Sequence, residues 1–262
     1  MVPIAMSIAG SDPSGGAGIQ ADLKTFHQFG VYGQAVITLL TVQNTVSVEH
    51  VEVMPAELVV RQTQAVLRDM PPHAAKTGAL GSAAVVEAVA DLAASLGFPL
   101  VVDPVMLSKH GAPLMDEEAR RVVLRKLIPR ARLVTPNIHE ASALTGIPID
   151  TISDMERAAR RLVELGAGAV LVKGGHLPGD AIDLLVDGDE LHRFTGERFE
   201  TAHTHGTGCT YSAAITAELA KGVSLCKAVE RAKHFITEAI RTSPGLGRGS
   251  GPVNHHATLS TD

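Results

Sequence analysis

Short apolar runs alternate along this chain with amphipathic stretches, and this alternation restricts the fold more than any other feature of the sequence. The runs are almost continuously apolar, as in strands that are covered on both faces. The stretches between them are long enough to form helices that connect parallel strands. The pattern therefore predicts an α/β fold, with a central, mostly parallel sheet and helices on both faces.

The predicted elements follow one another without a long unassigned segment. Strands are predicted over 3–9, 34–42, 74–77, 100–103, 133–135 and 169–173. Helices are predicted over 17–29, 56–69, 82–96 (with Ser82 as N-cap), 116–127, 207–221 and 225–241, with two more beginning at Ile138 and Ser153. Two further runs, 182–186 and 191–194, flank the turn dipeptide Asp187-Gly188, so we expect an antiparallel hairpin at one edge of the sheet.

Length and composition indicate one domain with a large core. The chain has 262 residues, of which 45% are hydrophobic, and it contains no linker-like or repetitive segment. We expect a single domain over 1–262, with a core of about 4–256 and a tail at 257–262. A net charge of -5 and the lack of a long apolar run disfavour nucleic acid and membranes as partners. Two cysteines and no signal-like N-terminus suggest a cytoplasmic location.

Ligands of such sheets bind beyond the carboxyl ends of the strands, so the loops that follow strands are the places to look for chemistry. The first of these, 10–18, is rich in glycine and opens a helix, which allows backbone N–H groups to approach a ligand. It is not a Walker A loop, since no Lys-Ser or Lys-Thr follows. An ordinary strand–helix turn remains the alternative. Asp22, inside the helix, is compatible with a structural role near the positive end of the helix dipole.

Three later strand ends carry polar or charged groups. The segment 41–45, TVQNT, could contact the edge of a polar heterocycle or could be only a polar turn. Asp103 and the pair Asn137/Glu140 could hold Mg²⁺ through water, although Asn137 and Glu140 also fit a helix capping box. Lys173 could reach a phosphate group or could simply be solvated.

The segment 205–210, HGTGCT, leads directly into an alanine-rich helix. Consecutive N–H groups at a helix N-terminus form an anion site, which would also lower the pKa of Cys209. Cys226 lies inside a predicted helix and is interpreted as a core residue. Zinc is disfavoured, since His203, His205 and Cys209 have no second ligand pair to complete a site.

The ordered set AGSDPSGGAGIQADLKTF, TVQNT, VVDPVM, TPNIHEA, LVKGGH, HTHGTGCT and GPVNHH, from Ile4 to about His256, resembles the hydroxymethylpyrimidine/phosphomethylpyrimidine kinases of the ribokinase-like superfamily. The resemblance implies a homodimer with a ribokinase-like sheet that uses ATP and Mg²⁺. It also implies two successive phosphorylations, of a hydroxymethylpyrimidine and then of its monophosphate, in thiamine biosynthesis.

The resemblance also assigns residues. It implies that the first glycine-rich turn serves the pyrimidine rather than the phosphates of ATP, and that Ala79 replaces a larger apolar residue over the ring. The implied substrate-binding residues are Gly10, Asp22, Gln43 and Val105, the implied nucleotide-binding residues are Asn137, Lys173 and Thr207, and the implied metal-binding residues are Asp103 and Glu140. The implied catalytic residues are Gly206, Gly208 and Cys209, with the amides of 206–209 as an anion hole.

In that scheme Cys209, with a lowered pKa, accepts the proton of the substrate hydroxyl, a role that most of the superfamily gives to an aspartate. Other readings stay open at this point. A pyridoxal kinase or a bifunctional kinase is one, although Thr210 stands where some pyridoxal-using relatives have a second cysteine. A cysteine hydrolase that uses His203 or His205 as base and a non-catalytic binding module are two others.

The glycine-rich segment 245–256 could lie over the nucleotide or belong to a mobile tail.

Overall fold

The structure, a computed structural model, describes residues 2–109 and 111–259. Its described residues form one nine-stranded sheet with the order β3-β2-β1-β4-β5-β6-β7-β8-β9. The strands are β1 (Ile4–Ser11), β2 (Tyr32–Gln43), β3 (Val48–Val53), β4 (Ala74–Thr77), β5 (Leu100–Val102), β6 (Leu133–Val134), β7 (Ala169–Lys173), β8 (Ala181–Asp187) and β9 (Glu190–Gly196). The helices are α1 (Gly18–Gln28), α2 (Ala56–Asp69), α3 (Ala83–Ala93), α4 (Glu117–Val122), α5 (Ile138–Thr145), α6 (Ile152–Glu164), α7 (Thr207–Ala220) and α8 (Leu225–Arg241).

The predicted mostly parallel sheet is confirmed. Strands β2, β1, β4, β5, β6 and β7 pair in parallel, and β8 and β9 form the predicted antiparallel hairpin. A second antiparallel strand, β3, lies at the opposite edge, next to β2. The prediction of antiparallel strands at one edge alone was therefore incomplete. The sequence of β3, VEHVEV, has a weak signal because one side of an edge strand faces solvent.

Helices cover both faces of the sheet, as predicted. One buried cluster joins one face to helices α2 to α6, and a second joins the other face to α1, α7 and α8. Alternate residues of a strand belong to different clusters, as Ala5 and Met6 of β1 do. Most of α7 is buried, which explains why this helix is rich in alanine: small side chains let it approach the sheet and α8 closely.

Local signals at helix ends are also confirmed. The hydroxyl of Ser82 accepts the backbone N–H of Val85 and caps α3. Asn137 and Glu140 form the predicted capping box at the start of α5. The predicted helix over 116–127 is only partly α-helical, because after α4 it continues as a wider turn over Val123–Leu127.

The C-terminal segment packs on the body of the protein. Val253 and Ala257 are almost fully buried, and the side-chain amide of Gln28 donates to the carbonyl of Ala257. Leu259 packs against the cluster formed by α1, α7 and α8. A tail beginning at residue 257 is therefore wrong for residues 257–259, and 260–262 lie outside the described residues. In the described part of the chain no helix combines the length and the apolar character that a membrane span requires.

Candidate active site

The first glycine-rich turn folds around the carboxylate of Asp12. This side chain accepts the backbone N–H groups of Ser14, Gly16 and Ala17 and the hydroxyl of Ser14 at 2.9 to 3.2 Å. His205 contributes a fifth contact, with Nε2 2.7 Å from Asp12 Oδ2. Because these N–H groups already donate to the carboxylate of Asp12, they are not free to bind a phosphate group. The substrate-side role that the family resemblance implied for this turn stays a prediction.

The loop before α7 docks directly onto this turn. Gly206 has a φ of +78°, and a Cβ at this position would lie 1.7 Å from the carbonyl oxygen of Gly16. Only glycine allows this approach, since it has no Cβ and tolerates the left-handed conformation. The contact brings the N-termini of α1 and α7 together. The start of α7 presents N–H groups that could bind an anion.

Opposite the start of α7 lies an ion pair between Lys173 and Asp103. The two side chains are 2.9 Å apart and mostly buried, and the hydroxyls of Thr135 and Ser212 also donate to Asp103. Burial disfavours the charge of Lys173, but Asp103 and Glu140 outweigh it and raise the pKa of this lysine. A Cβ on Gly208 would lie 3.3 Å from Lys173 Nζ, so the ammonium group faces the first turn of α7.

Glu140 completes this charged group from the start of α5. It accepts the backbone N–H of Asn137, and burial, with a contribution from Asp103, raises its pKa to about 7. A carboxyl with so high a pKa lacks sufficient positive charge around it. Carboxylate oxygens whose negative charge is not balanced by nearby positive charge fit Mg²⁺, which binds a few carboxylates and keeps several waters. No three His, Cys, Asp or Glu side chains of the described residues lie close enough to hold a metal by themselves.

The prediction of a lowered pKa for Cys209 is wrong in this structure. Burial raises the pKa of the thiol to about 11, and the charges of Asp22 and Asp103 add to this effect. The ammonium of Lys76 and a hydrogen bond from the backbone N–H of Gly18 act in the opposite direction and do not overcome it. Cys209 is therefore a neutral thiol at physiological pH.

Asp22 does not lie where a substrate could contact it. Its side chain is fully buried, forms a 2.9 Å ion pair with Lys76 and accepts the hydroxyl of Ser7. Nor is it in the first turn of α1, so the expected contact with the positive helix end is also wrong. The structural role considered for Asp22 fits these contacts, and direct substrate contact does not.

The other residues predicted to bind substrate lie near the carboxyl ends of β1, β2 and β5. Gly10 is buried, and a Cβ there would meet Leu39 at 2.5 Å and Ala79 at 3.7 Å. Gln43 is partly buried and reaches His205, with 3.3 Å between their Nε2 atoms. Val105 is partly exposed just beyond β5, and its N–H donates to the carbonyl of Asp103.

Thr207, predicted to bind the nucleotide, donates its hydroxyl to the carbonyl of Thr204, which stabilises the turn into α7.

Three important residues were missed or misread in the sequence. The sequence gives Asp12 no role beyond membership of a glycine-rich turn, and it gives Lys76, inside the short strand β4, no role at all. The roles weighed for His205 are a base for Cys209 and a ligand of zinc. In the structure it contacts Asp12 and Gln43 instead. The pattern Asp-x-Ser-Gly-Gly could have indicated a side-chain-capped turn, but nothing local distinguishes Lys76 from a solvated lysine.

The C-terminal segment lies over the loops that follow β1 and β2 and over the loop that precedes α7. Glycines at 247 and 249 approach Thr45 so closely that a Cβ on either would clash with it. Pro252 pairs with His205 as an isolated bridge. Thr210, which follows Cys209, is buried and contacts His255.

A parallel sheet with antiparallel edges, an anion-binding helix N-terminus and a lysine–carboxylate pair at its carboxyl ends define a phosphotransferase of the ribokinase-like class. Comparison with known proteins identifies the family. The sequence model of the family described as phosphomethylpyrimidine kinase matches residues 12–254, and the chain belongs to this family.

Individual relatives agree with this assignment. The hydroxymethylpyrimidine/phosphomethylpyrimidine kinase of Staphylococcus aureus (strain MSSA476) is 46% identical over 263 residues, which cover 99% of this chain and 95% of the relative. That of Bacillus subtilis (strain 168) is 46% identical over 97% of this chain and 94% of its own length. The crystal structure of an ADP complex of Bacillus subtilis pyridoxal kinase matches with a TM-score of 0.90 at 38% identity, covering 98% of both chains.

Proposed function

We propose that this protein transfers the γ-phosphoryl group of ATP to 4-amino-5-hydroxymethyl-2-methylpyrimidine and then to the resulting monophosphate, in thiamine biosynthesis. The observation that carries the proposal is the proximity of the α7 N-terminus to the Lys173–Asp103 pair, in a chain that belongs to the phosphomethylpyrimidine kinase family. The relatives with 46% identity have this activity in their names. The protein acts as a single kinase domain in the cytoplasm.

On the nucleotide side, Lys173 neutralises phosphate charge, and Asn137 and Thr207 border the nucleotide. The carboxylates of Asp103 and Glu140 would hold Mg²⁺. When bound, Mg²⁺ neutralises charge on the β- and γ-phosphates. Without a cation the carboxyl of Glu140 has a pKa of about 7. A bound cation would lower this pKa and favour the ionised carboxylate.

On the acceptor side, the N–H groups of Gly208 and Cys209 stabilise the phosphoryl group as charge develops on its oxygens. Gly206 makes this possible by letting the loop lie against the turn at Gly16. Phosphoryl transfer passes through a loose transition state that depends mainly on positioning and charge neutralisation. A neutral Cys209 is compatible with this chemistry, since it can border the reacting hydroxyl without removing its proton beforehand.

The protein also acts as a homodimer in this proposal. Leu40 and Val42 of β2 point away from the side of the strand that carries Thr41 and Gln43, and both are more than 40% exposed. Val46, in the following turn, is 57% exposed. These three side chains form an apolar patch, here called the β2 patch, next to the edge strand β3. Coverage by a second copy would remove this patch from water.

The test is to incubate the protein with Mg-ATP and hydroxymethylpyrimidine, with pyridoxal in a parallel reaction, and to follow products by mass. Sequential mono- and diphosphate of the pyrimidine are expected. The structural likeness to a pyridoxal kinase makes pyridoxal the competing substrate. A higher kcat/KM for pyridoxal than for the pyrimidine would identify the protein as a pyridoxal kinase instead. The proposal would be overturned if neither compound were phosphorylated.

A further inference from the structure

The loop between β7 and β8 follows Lys173 directly and has the glycine-rich sequence GGHLPGD, residues 174–180. Glycine loses more conformational freedom on folding than any other residue. A Cβ added to Gly175 or Gly179 would meet nothing within 4 Å, so close packing does not hold the backbone at these positions. Leu177 packs against the core cluster, but the residues on either side of it are exposed. The loop therefore needs polar contacts to keep one conformation.

A buried ion pair fixes the two ends of this loop. The carboxylate of Asp183, in β8, accepts the backbone N–H of Gly174 at 3.0 Å and lies 2.7 Å from the ammonium of Lys233, in α8. Lys233 also donates to the carbonyl of Ala181, where β8 begins. The ends of the loop are thus held by β8 and α8, and its middle requires a separate contact.

Arg198, two residues beyond β9, supplies the contact to the middle of the loop. Its Nε donates to the carbonyl of Gly179 at 2.6 Å and its Nη1 to the carbonyl of Gly175 at 2.8 Å, while its Nη2 donates to the carbonyl of Leu177. All three nitrogens of one guanidinium group are therefore used, on alternate residues of the loop. Because a guanidinium group is planar and its donors have fixed directions, the three carbonyls can meet it only in one shape of the loop.

The same loop borders the residues that the proposed function assigns to the nucleotide. Lys173, which precedes it, forms an isolated bridge with Asn137. The ring of His176, in the loop, packs on the ring of His139 with 4.9 Å between their centroids. His139 lies in the first turn of α5, next to Glu140. The shape of the loop therefore affects how the end of β7 and the start of α5 face the nucleotide.

Positive charge collects on this side of the molecule. Burial lowers the pKa of His176, and the charges of His139, Lys109, Lys173 and Arg198 add to this effect. Clustered positive charge of this kind attracts anions. The triphosphate group of ATP is the anion that the proposed reaction brings to this place.

Deepening the proposed function, on which this inference rests, we propose that Arg198 is a positioning residue for the nucleotide. It acts through the backbone of residues 175–179 and not by contact with ATP. The loop is then already ordered when the nucleotide arrives, so that its ordering does not reduce the free energy of binding. The residues assigned to the pyrimidine lie in other loops, so binding of the acceptor does not depend on Arg198.

The variant Arg198→Met removes the three hydrogen bonds, and Arg193→Met, at an exposed arginine of β9, is the matched control. In Arg198→Met the KM for Mg-ATP should rise about tenfold or more, while the KM for the pyrimidine stays unchanged and kcat stays within about threefold of wild type. The control should match wild type in all three constants. An unchanged KM for Mg-ATP, or an equal rise of both KM values, would overturn the proposal.

The variant Arg198→Lys separates loop geometry from charge. Lysine keeps the positive charge but has a single nitrogen, which cannot replace a planar group that reaches three carbonyls. Its KM for Mg-ATP should therefore stay close to that of Arg198→Met. A return to the wild-type value would show that Arg198 supplies charge to the nucleotide and does not position the loop.

A second measurement does not depend on turnover. Without nucleotide, the backbone amides of the loop should exchange with deuterium at least ~tenfold faster in Arg198→Met than in wild type or Arg193→Met, as mass spectrometry of the peptide that contains residues 175–180 reports. Equal exchange in the three proteins would overturn the proposal. A wild type that phosphorylates no pyrimidine would refute the proposed function. The exchange rates, with calorimetric binding of a non-hydrolysable ATP analogue, would still decide whether Arg198 orders the loop for a nucleotide.

Discussion

At the scale of single residues, burial decides the chemistry of Cys209. The thiol lies at the start of a helix, a location that favours the thiolate. Yet its pKa is about 11, because the surrounding protein withholds water and Asp22 and Asp103 add negative charge. The sequence predicts an activated base at this position, whereas the thiol in the structure is neutral. In the proposed function, hydrogen bonding and shape are therefore what this side chain contributes to catalysis.

The variant Cys209→Ser separates these roles. A hydroxyl keeps the size and the hydrogen-bonding capacity of the thiol but is a far weaker acid, so it cannot serve as a base. We expect phosphorylation of the hydroxymethyl compound to stay within about tenfold of wild type in kcat, as measured by product mass. A loss of ~10²-fold or more for the alcohol, with the phosphate acceptor little affected, would restore the role of general base.

The buried pair Asp22–Lys76 offers a stability test at the same scale. Removing one partner leaves an uncompensated buried charge, which costs about 3–5 kcal/mol. We expect Asp22→Leu and Lys76→Met each to lower the free energy of unfolding by this order. The double variant should lose less than the sum, because no unpaired charge remains. Urea denaturation of the four proteins measures the coupling, and simple additivity would contradict the pairing.

Glu140 predicts a pH dependence. Its carboxyl has a pKa of about 7 in the folded protein and an ordinary value of 4.5. The folded state therefore binds more protons than the unfolded state between these values, and the free energy of unfolding falls as pH rises through this range. Glu140→Gln retains an oxygen for the backbone N–H of Asn137 and does not ionise. Without nucleotide it should match wild type near pH 4.5 and exceed its stability by about 1–3 kcal/mol at pH 7.5.

Thermal unfolding of both proteins across this pH range checks the prediction. A difference between them that did not change with pH would show that Glu140 does not titrate there. Weaker binding of Mg-ATP by Glu140→Gln, measured by calorimetry, is expected at the same time if this carboxylate holds the cation.

At the scale of elements, the site depends on how closely two helix N-termini can approach. The loop before α7 lies against the turn before α1, and Gly206 is the point of closest contact. Gly222, just after the end of the same helix, has a φ of +80° but nothing within 4 Å of an added Cβ. Comparison of these two glycines therefore separates the free-energy cost of a left-handed backbone from the cost of displacing the loop before α7.

Alanine substitutions at the two positions test this directly. Gly222→Ala should cost about 1–2 kcal/mol in the free energy of unfolding through backbone strain alone and leave kcat/KM unchanged. Gly206→Ala should displace the loop and lower kcat/KM by ~10²-fold or more, since small misplacements of a reacting group have effects of that size. Equal kcat/KM in the two folded variants would show that the contact with Gly16 does not position the loop.

At the scale of the whole molecule, the β2 patch predicts self-association. Replacing Leu40 and Val46 by lysine should convert the proposed homodimer into a monomer in analytical ultracentrifugation, because like charges would face each other across the interface. The control is Leu191→Lys, a comparably exposed leucine (42%) on the opposite edge strand, β9. A wild type that sediments as a monomer would refute the dimer, and a dimer unaffected by the double substitution would place its interface elsewhere.

Much of the fold could be read from the sequence because its signals are local. The strand over Ala74–Thr77 and the helices over Ala56–Asp69 and Leu225–Arg241 have the predicted bounds, since apolar runs and amphipathic periods end at turn residues. The capping box of Asn137 and Glu140 needs only four consecutive residues and was predictable in the same way. The strand at Val48–Val53 was missed, since its hydrogen-bond partner and not its own composition makes it a strand.

By itself the sequence determined the class of fold and the family to which its ordered motifs belong. Only the tertiary structure decided that Lys76 neutralises Asp22, that His205 contacts Asp12 and Gln43, and that the thiol of Cys209 is neutral. The physical reason is that propensity and periodicity act between near neighbours in the chain. Burial, ionisation and hydrogen-bond direction depend on groups that are brought together from distant segments, such as 12 and 205.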